Sequence, residues 1–220
     1  MEFDWKVIID YFPDLLAGVK VTLLITILSL LIGLVFGLAL ALARISGWKI
    51  ISWPAYVYIE FFRTTPPLVQ IVWFYFVVPV IIGMELSAFQ AASIALGLNI
   101  AAFLGEIFRA GIQGIDKTQI DATRVLGLGS MDSYRYVILP QAFRIVLPPT
   151  TTTIMLLMKG TSLATAIGTL ELMRVGQLIS LETFRPFEIL TAVALIYFLI
   201  TYPVAYGMRR LERKMQIGEI

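Results

Sequence analysis

A single lysine interrupts one of the long apolar runs of this chain: of the 26 residues from Ile145 to Leu170, only Lys159 is charged. An ionisable side chain inside a membrane-grade segment marks a binding or transport role by default. Gly160, Thr161 and Ser162 follow it directly. Together they offer a cation, two hydroxyls and, through the glycine, an irregular backbone whose amides face a carboxylate. The plainer alternatives for Lys159 are snorkelling to the outer interface and pairing with Glu171. Gln70, Trp73 and Asn99 also lie within apolar stretches. For Asn99, an interhelical hydrogen bond competes with ligand contact. Thr150 to Thr153 form a polar run that back-bonding to helix carbonyls explains more simply than catalysis. The chain has no histidine and no cysteine. The usual metal ligands and neutral-pH base are therefore missing, and no span holds paired carboxylates. No catalytic residue and no metal site is expected.

The elements that must position these residues are membrane spans. With 59% hydrophobic and only 15% charged residues in 220, the chain lacks the polar surface that a water-soluble globule of this size needs. Charges delimit the spans. Between Lys20 and Arg44 lie 23 uncharged residues, between Arg63 and Glu85 21, between Glu85 and Glu106 20, and between Glu188 and Arg209 20. Each matches the ~20 residues a helix needs to cross the hydrocarbon. Ile145 to Leu170 is the remaining span, with Lys159 as its polar break. Counted from Ile145, Lys159 lies roughly 21 Å along the helix, past the midplane toward the outer side.

Five spans put the termini on opposite sides. With the N-terminus outside, 12 of the 17 basic residues fall on inner segments and five elsewhere, so the positive-inside rule places the N-terminus out and the C-terminus in. The acidic, aromatic start, Met-Glu-Phe-Asp-Trp-Lys, is unlike a cleavable signal and is expected to be retained. Gly33 and Gly37 in the first span, with Ala41 on the same face, predict close helix packing. Pro66 and Pro67 predict a kink or a gating hinge before the second span. Glu60 with Arg63, and Glu106 with Arg109, have the i, i+3 spacing of ion pairs at the inner face.

Residues 116–140 are different in kind, with mixed charges and helical grammar. Asp116 is a plausible N-cap, and Asp121 and Arg124 are one turn apart. Ile120, Val125, Leu126 and Leu128 can share a face, Gly127 and Gly129 end the helix, and a second helix starts at Asp132 and stops at Pro140. This pair would lie in the cytoplasm, where docking into a soluble partner suits its balanced charges better than lying in lipid.

Asp121-Ala122-Thr123, then Gly127 and, nine residues on, Val137-Ile138-Leu139-Pro140 resemble the EAA loop of permease subunits of bacterial ATP-binding-cassette importers, with its spacing intact. Asp121 replaces the usual Glu and Thr123 the second Ala. The resemblance covers nearly the whole chain and is nearest to the branch that takes up polar amino acids. It is carried further by Phe62-Arg63-Thr64-Thr65-Pro66-Pro67-Leu68-Val69-Gln70, by Glu106-Ile107-Phe108-Arg109-Ala110-Gly111-Ile112, by Leu139 to Arg144 and by Lys159 to Leu163. That branch often has Asp where this chain has Gly160.

The resemblance implies an all-α permease in which residues 1–220 form one transmembrane domain of five helices, with cytoplasmic coupling helices between the third and fourth spans. Asp121, Ala122, Thr123, Arg124, Gly127, Leu139 and Pro140 would couple to the ATPase. The expected partners are two ATPase subunits, a second permease that is a copy or a paralogue, an extracytoplasmic amino-acid-binding protein and the lipid of the bacterial inner membrane. No nucleic acid is expected. The chain has no phosphate-binding loop, so ATP and Mg would be used by the partner, and no cofactor is expected here. Gln70, Trp73, Asn99 and Lys159 to Ser162 would line the pathway, and Glu60, Arg63, Pro66, Pro67, Glu106 and Arg109 would serve gating or structure. The alternative is a self-contained small channel or secondary transporter, which the lack of an inverted repeat and the scarcity of intramembrane acids disfavour.

Overall fold

The computed structural model describes residues 3–216, and the regular elements in that range are all helical. α1 (Trp5–Asp10) starts at Asp4, whose carboxylate accepts the Lys6 N–H, and leads into the long α2 (Phe12–Ile45). Then come α3 (Lys49–Thr64), α4 (Pro67–Phe76) and α5 (Val78–Ile82), followed by α6 (Ala88–Gln113). The short α7 (Lys117–Val125) and α8 (Ser130–Ser133) precede a π-helical turn (Tyr134–Ile138) and α9 (Leu139–Gly160). A 3-10 stretch (Thr161–Ile167), α10 (Leu172–Thr183) and α11 (Pro186–Gln216) complete the chain.

Three helices, α2, α6 and α11, are long and apolar enough to cross a membrane unaided. Two bent pairs pass the same test when each is read as one broken span: Lys49–Thr64 with Pro67–Ile82, at 106°, and Ser130–Ile167 with Leu172–Thr183, at 50°. This makes up to five spans by length and composition.

The centre of the bundle is α6, whose buried face is dominated by small residues, among them Ala91, Ala92, Ala95, Ala101 and Ala102. Small side chains let neighbouring backbones approach. The packing predicted for Gly33 and Gly37 is present: a Cβ on Gly37 would lie 2.9 Å from Leu104 Cβ, and one on Gly33 would overlap Ile100. Ser29 on α2 donates to the Ser93 carbonyl of α6 at 2.9 Å. A second cluster, with Leu15, Leu172, Ile179 and Ile189, ties the start of α2 to α10 and α11.

The structure differs from the sequence reading in three places. The residues ahead of the second apolar run are helical as well: α3, with Glu60 and Arg63 near its end, passes the span test only together with Pro67–Ile82 across the 106° bend, so a boundary drawn at charges leaves it out. Pro140 does not stop a helix. The chain passes from α8 through the π turn into α9, where the wider π register and a place in the first turn of α9 accommodate a residue with no N–H. Finally, Lys159 is deeper than counting from Ile145 places it. Gly160 shares a cavity with Leu96, Asn99 and Ile100, and Ile100 abuts Gly33, close to the middle of the uncharged run between Lys20 and Arg44. Lys159, next to Gly160, therefore sits near the centre of the apolar bundle, a position set by how α9 packs on α6 and not by a count along the sequence.

Candidate functional site

The bend between α3 and α4 frees backbone groups in an apolar setting. The Phe62 carbonyl would be paired by the N–H of residue 66 in a continuing helix, and residue 66 is proline. Two side-chain amides take its place. Gln70 Nε2 donates to the carbonyls of Phe62 and Thr65 at 3.0 and 3.1 Å. Asn99 Nδ2, from α6, donates to the same Phe62 carbonyl at 2.9 Å and to Gln70 Oε1 at 3.1 Å. Both amides are only 5% exposed. Asn99 makes the interhelical bond that the sequence allowed. Its Oδ1 has no donor among the described residues, and Asn99 lines the adjoining cavity.

That cavity, of about 300 Å³, lies between α4, α6 and α9 and is lined by Pro67, Asn99, Phe103, Thr153, Leu156 and Gly160, among others. None of its lining residues is ionisable. Thr153 spends its hydroxyl on the Pro149 carbonyl at 2.9 Å, and Thr151 on Leu147 at 2.9 Å. Thr151, Thr152 and Thr153 thus bond back to carbonyls one turn earlier in their own helix, while Thr150 Oγ1 has no partner among the described residues.

The structure brings Gln70, Asn99 and Gly160 together and sets the other candidate pathway residues apart. Gly160 has ordinary right-handed helical angles, φ −64° and ψ −21°, so the expected irregular backbone is replaced by a helix that tightens into a 3-10 stretch. Thr161 is fully buried and donates to the Met158 carbonyl at 2.8 Å; Ser162 donates to Lys159 at 2.7 Å. Trp73 is exposed and meets Phe74 edge-on. Lys159 lies on the other flank of α9, in a groove shared with α11. It makes no ion pair among the described residues. Glu171 is not its partner: it is fully buried, caps α10 by accepting the Met173 and Arg174 N–H groups, and accepts the Tyr197 hydroxyl at 2.8 Å.

Of the two i, i+3 pairs predicted, one forms. Arg109 holds Glu106 with two hydrogen bonds, one from Nε at 2.9 Å, and also reaches Gln113. Glu60 and Arg63 do not pair. The Arg63 guanidinium instead lies over the Phe103 ring at 5.6 Å, a favourable cation–π placement.

Residues 116–138 are built by local rules. The Asp116 carboxylate accepts the Thr118 N–H at 2.9 Å, and this bond holds its carboxyl below the usual range. α7 ends in a Schellman motif: Gly127 is left-handed at φ 70°, its N–H reaches the Arg124 carbonyl, and the Leu128 N–H reaches Thr123 at 3.0 Å. Ile115, Ile138 and Ala142 form a buried cluster, with Ile112 and Ile120 packed against it, that fastens this segment to α6 and α9. The far side is bare. Val125 is 88% exposed, Leu126 75% and Met131 78%, so the apolar face predicted through Ile120 is split between the bundle and the surface. Asp121 and Arg124 pair at 3.1 Å on that surface. Ala122 is exposed, Thr123 is buried, and Leu139 and Pro140 are exposed.

Sequence reasoning missed Phe103 and the buried capping role of Glu171. Only the second left a signal, as a lone acid in an apolar neighbourhood.

Comparison with known proteins supplies context. Residues 33–217 match the family described as binding-protein-dependent transport system inner membrane component. The glutamine transport system permease protein GlnP of Escherichia coli K12 is 41% identical over 218 residues, covering 99% of this chain and 100% of that protein. The arginine transport system permease protein ArtQ of Bacillus subtilis is 34% identical over 219 residues, covering 100% of both. A crystal structure of an amino acid ABC transporter with histidines superposes with TM-score 0.89 at 36% identity, covering 97% of this chain and 100% of that one. The MetNI methionine ABC transporter shares the fold, with TM-score 0.73 at 23% identity over 91% of this chain and 95% of its own.

Proposed function

We propose, from the premise that this chain belongs to the family of binding-protein-dependent transport system inner membrane components and is the permease subunit of an amino-acid ABC importer, that it forms half of an ATP-driven pathway for a polar amino acid. It pairs with a second permease, a copy or a paralogue, in the bacterial inner membrane, N-terminus outside and C-terminus inside. An extracytoplasmic binding protein delivers the amino acid, and two ATPase subunits below use ATP and Mg. This chain does no hydrolysis.

Residues 116–140 are the coupling helices. The observation that carries this reading is their split surface: one side is buried against α6 and α9, while Val125, Leu126 and Met131 stand in the open with nothing among the described residues to cover them. An apolar tip on a rigid, capped helix suits a cleft on another protein. Movement of the ATPase would enter there, pass through Ile115, Ile138 and Ala142 into α9, and reach the bend that Gln70 and Asn99 hold. Two states biased unequally by nucleotide suffice for alternating access.

The pathway runs along the exposed face of α9, between the amide-lined cavity and the Lys159 groove. A cation at mid-depth is too expensive to leave against hydrocarbon, so this face looks onto the second permease and water. An uncharged cavity whose free polar group is the Asn99 amide oxygen favours a neutral polar side chain over a basic one. The test is affinity purification of the complex carrying Val125→Asp with Met131→Asp. The chain should still fold and reach the membrane, and the ATPase should be lost. An ATPase that stays bound rules out these residues as its seat.

A further inference from the structure

The second concave surface on α9 is the groove it forms with α11, of about 590 Å³, lined by Lys159, Tyr197, Thr201, Tyr202 and Arg209 among others. We infer that this groove is a carboxylate subsite on the inward half of the pathway, which the amino acid's own carboxylate occupies after leaving the centre of the membrane. The inference rests on the importer reading and adds to it a ligand group and three further residues: Thr201, Tyr202 and Arg209.

Four observations converge. First, the groove holds two cations and no acid. Lys159 and Arg209 make no ion pair among the described residues, so the groove carries two positive charges that an anion would offset. Second, Thr201 is only 7% exposed and its Oγ1 is buried without a hydrogen-bond partner among the described residues. An unanswered buried hydroxyl is costly unless a ligand answers it. Third, the Arg209 guanidinium lies 6.0 Å from the Tyr202 ring. A ring beside it confines a planar fork that matches a carboxylate. Fourth, depth decides which anion this is. Lys159 lies level with Asn99 near the middle of the bundle, whereas Arg209 closes the uncharged run of α11. A lipid phosphate belongs at the membrane surface and would leave Lys159 among acyl chains, which an exposed mid-depth cation does not tolerate. A carboxylate travelling inward meets Lys159 first and Arg209 second.

The experiment uses the complete complex of this permease, its partner subunits and its binding protein in vesicles, with ATP supplied to the ATPase side. Uptake of each of the common L-amino acids is measured with radiolabel, and the one carried is followed through the variants. Lys159→Met and Arg209→Met each lower uptake by about tenfold, while Lys159→Arg and Arg209→Lys keep most of it. Thr201→Val lowers it by about threefold with the ATPase still bound. A purely structural role would not separate charge-keeping from charge-removing variants. Uptake that survives Lys159→Met and Arg209→Met overturns this inference alone. An anionic phospholipid that co-purifies with the wild-type complex and is lost on Arg209→Met reassigns the groove to lipid. Failure to take up any of the amino acids overturns the importer reading and this inference with it.

Discussion

The chain interrupts its helices in two places that handle the interruption in opposite ways. At Phe62 to Pro67 each freed carbonyl named above is answered from within, by Gln70 and Asn99. At Leu126 to Met131 the backbone is just as well capped, yet the side chains are left bare. The first break is a finished joint, whose geometry the chain maintains alone. The second leaves an apolar tip uncovered among the described residues, which the proposed function makes half of an interface. An importer permease needs both, a bend near the pathway and a tip that an ATPase can grip.

The contrast can be broken from either side. Gln70→Leu should have the largest effect on the subunit itself, because it strands the Thr65 carbonyl, leaves the Phe62 carbonyl to Asn99 alone and removes the acceptor of Asn99. Stranded buried groups cost about 1–3 kcal/mol each, so thermal denaturation of the purified complex should shift well below that of the tip variants. A Gln70→Leu protein as stable as wild type would mean that the bend does not depend on the amide clamp. Gly127→Ala acts on the other break. No atom lies within 4 Å of the added Cβ, so the cost is conformational, about 1 kcal/mol for a left-handed alanine. It should appear as roughly fivefold weaker ATPase binding with the bundle unchanged. Asp121→Asn should do least to stability, since exposed ion pairs are worth about 0–1 kcal/mol. If it nevertheless releases the ATPase, Asp121 contacts the partner directly and not only Arg124.

What the sequence made legible follows the same division. The helices of residues 116–138 could be read because their signals are local: Asp116 caps two residues ahead, and Gly127 supplies the left-handed residue a Schellman end requires. The first, third and fifth spans could be read because apolar length alone defines them. The second could not, since Arg63 is held over Phe103 and the helix of α3 runs past it to the 106° bend. The same i, i+3 spacing gave a pair at Glu106 and Arg109 and none at Glu60 and Arg63, because the competing ring belongs to another helix. The depth of Lys159 was hidden because it is set by the packing of α9 on α6, which puts Gly160 beside Leu96. Which residues of α9 look toward α6 and which toward α11 depends on tertiary packing, and so the split between Gly160 and Lys159 lay beyond any spacing rule.

On the proposed function, transport through this chain requires work done by another protein. Vesicles containing this permease should be compared alone, and then with its partner permease, ATPase subunits and binding protein, for accumulation of a labelled polar amino acid against its gradient. The account predicts accumulation only in the full complex, only with hydrolysable ATP, and its loss with Val125→Asp and Met131→Asp. Flux through vesicles holding this chain alone, independent of ATP, would contradict it and establish a self-contained channel or secondary transporter.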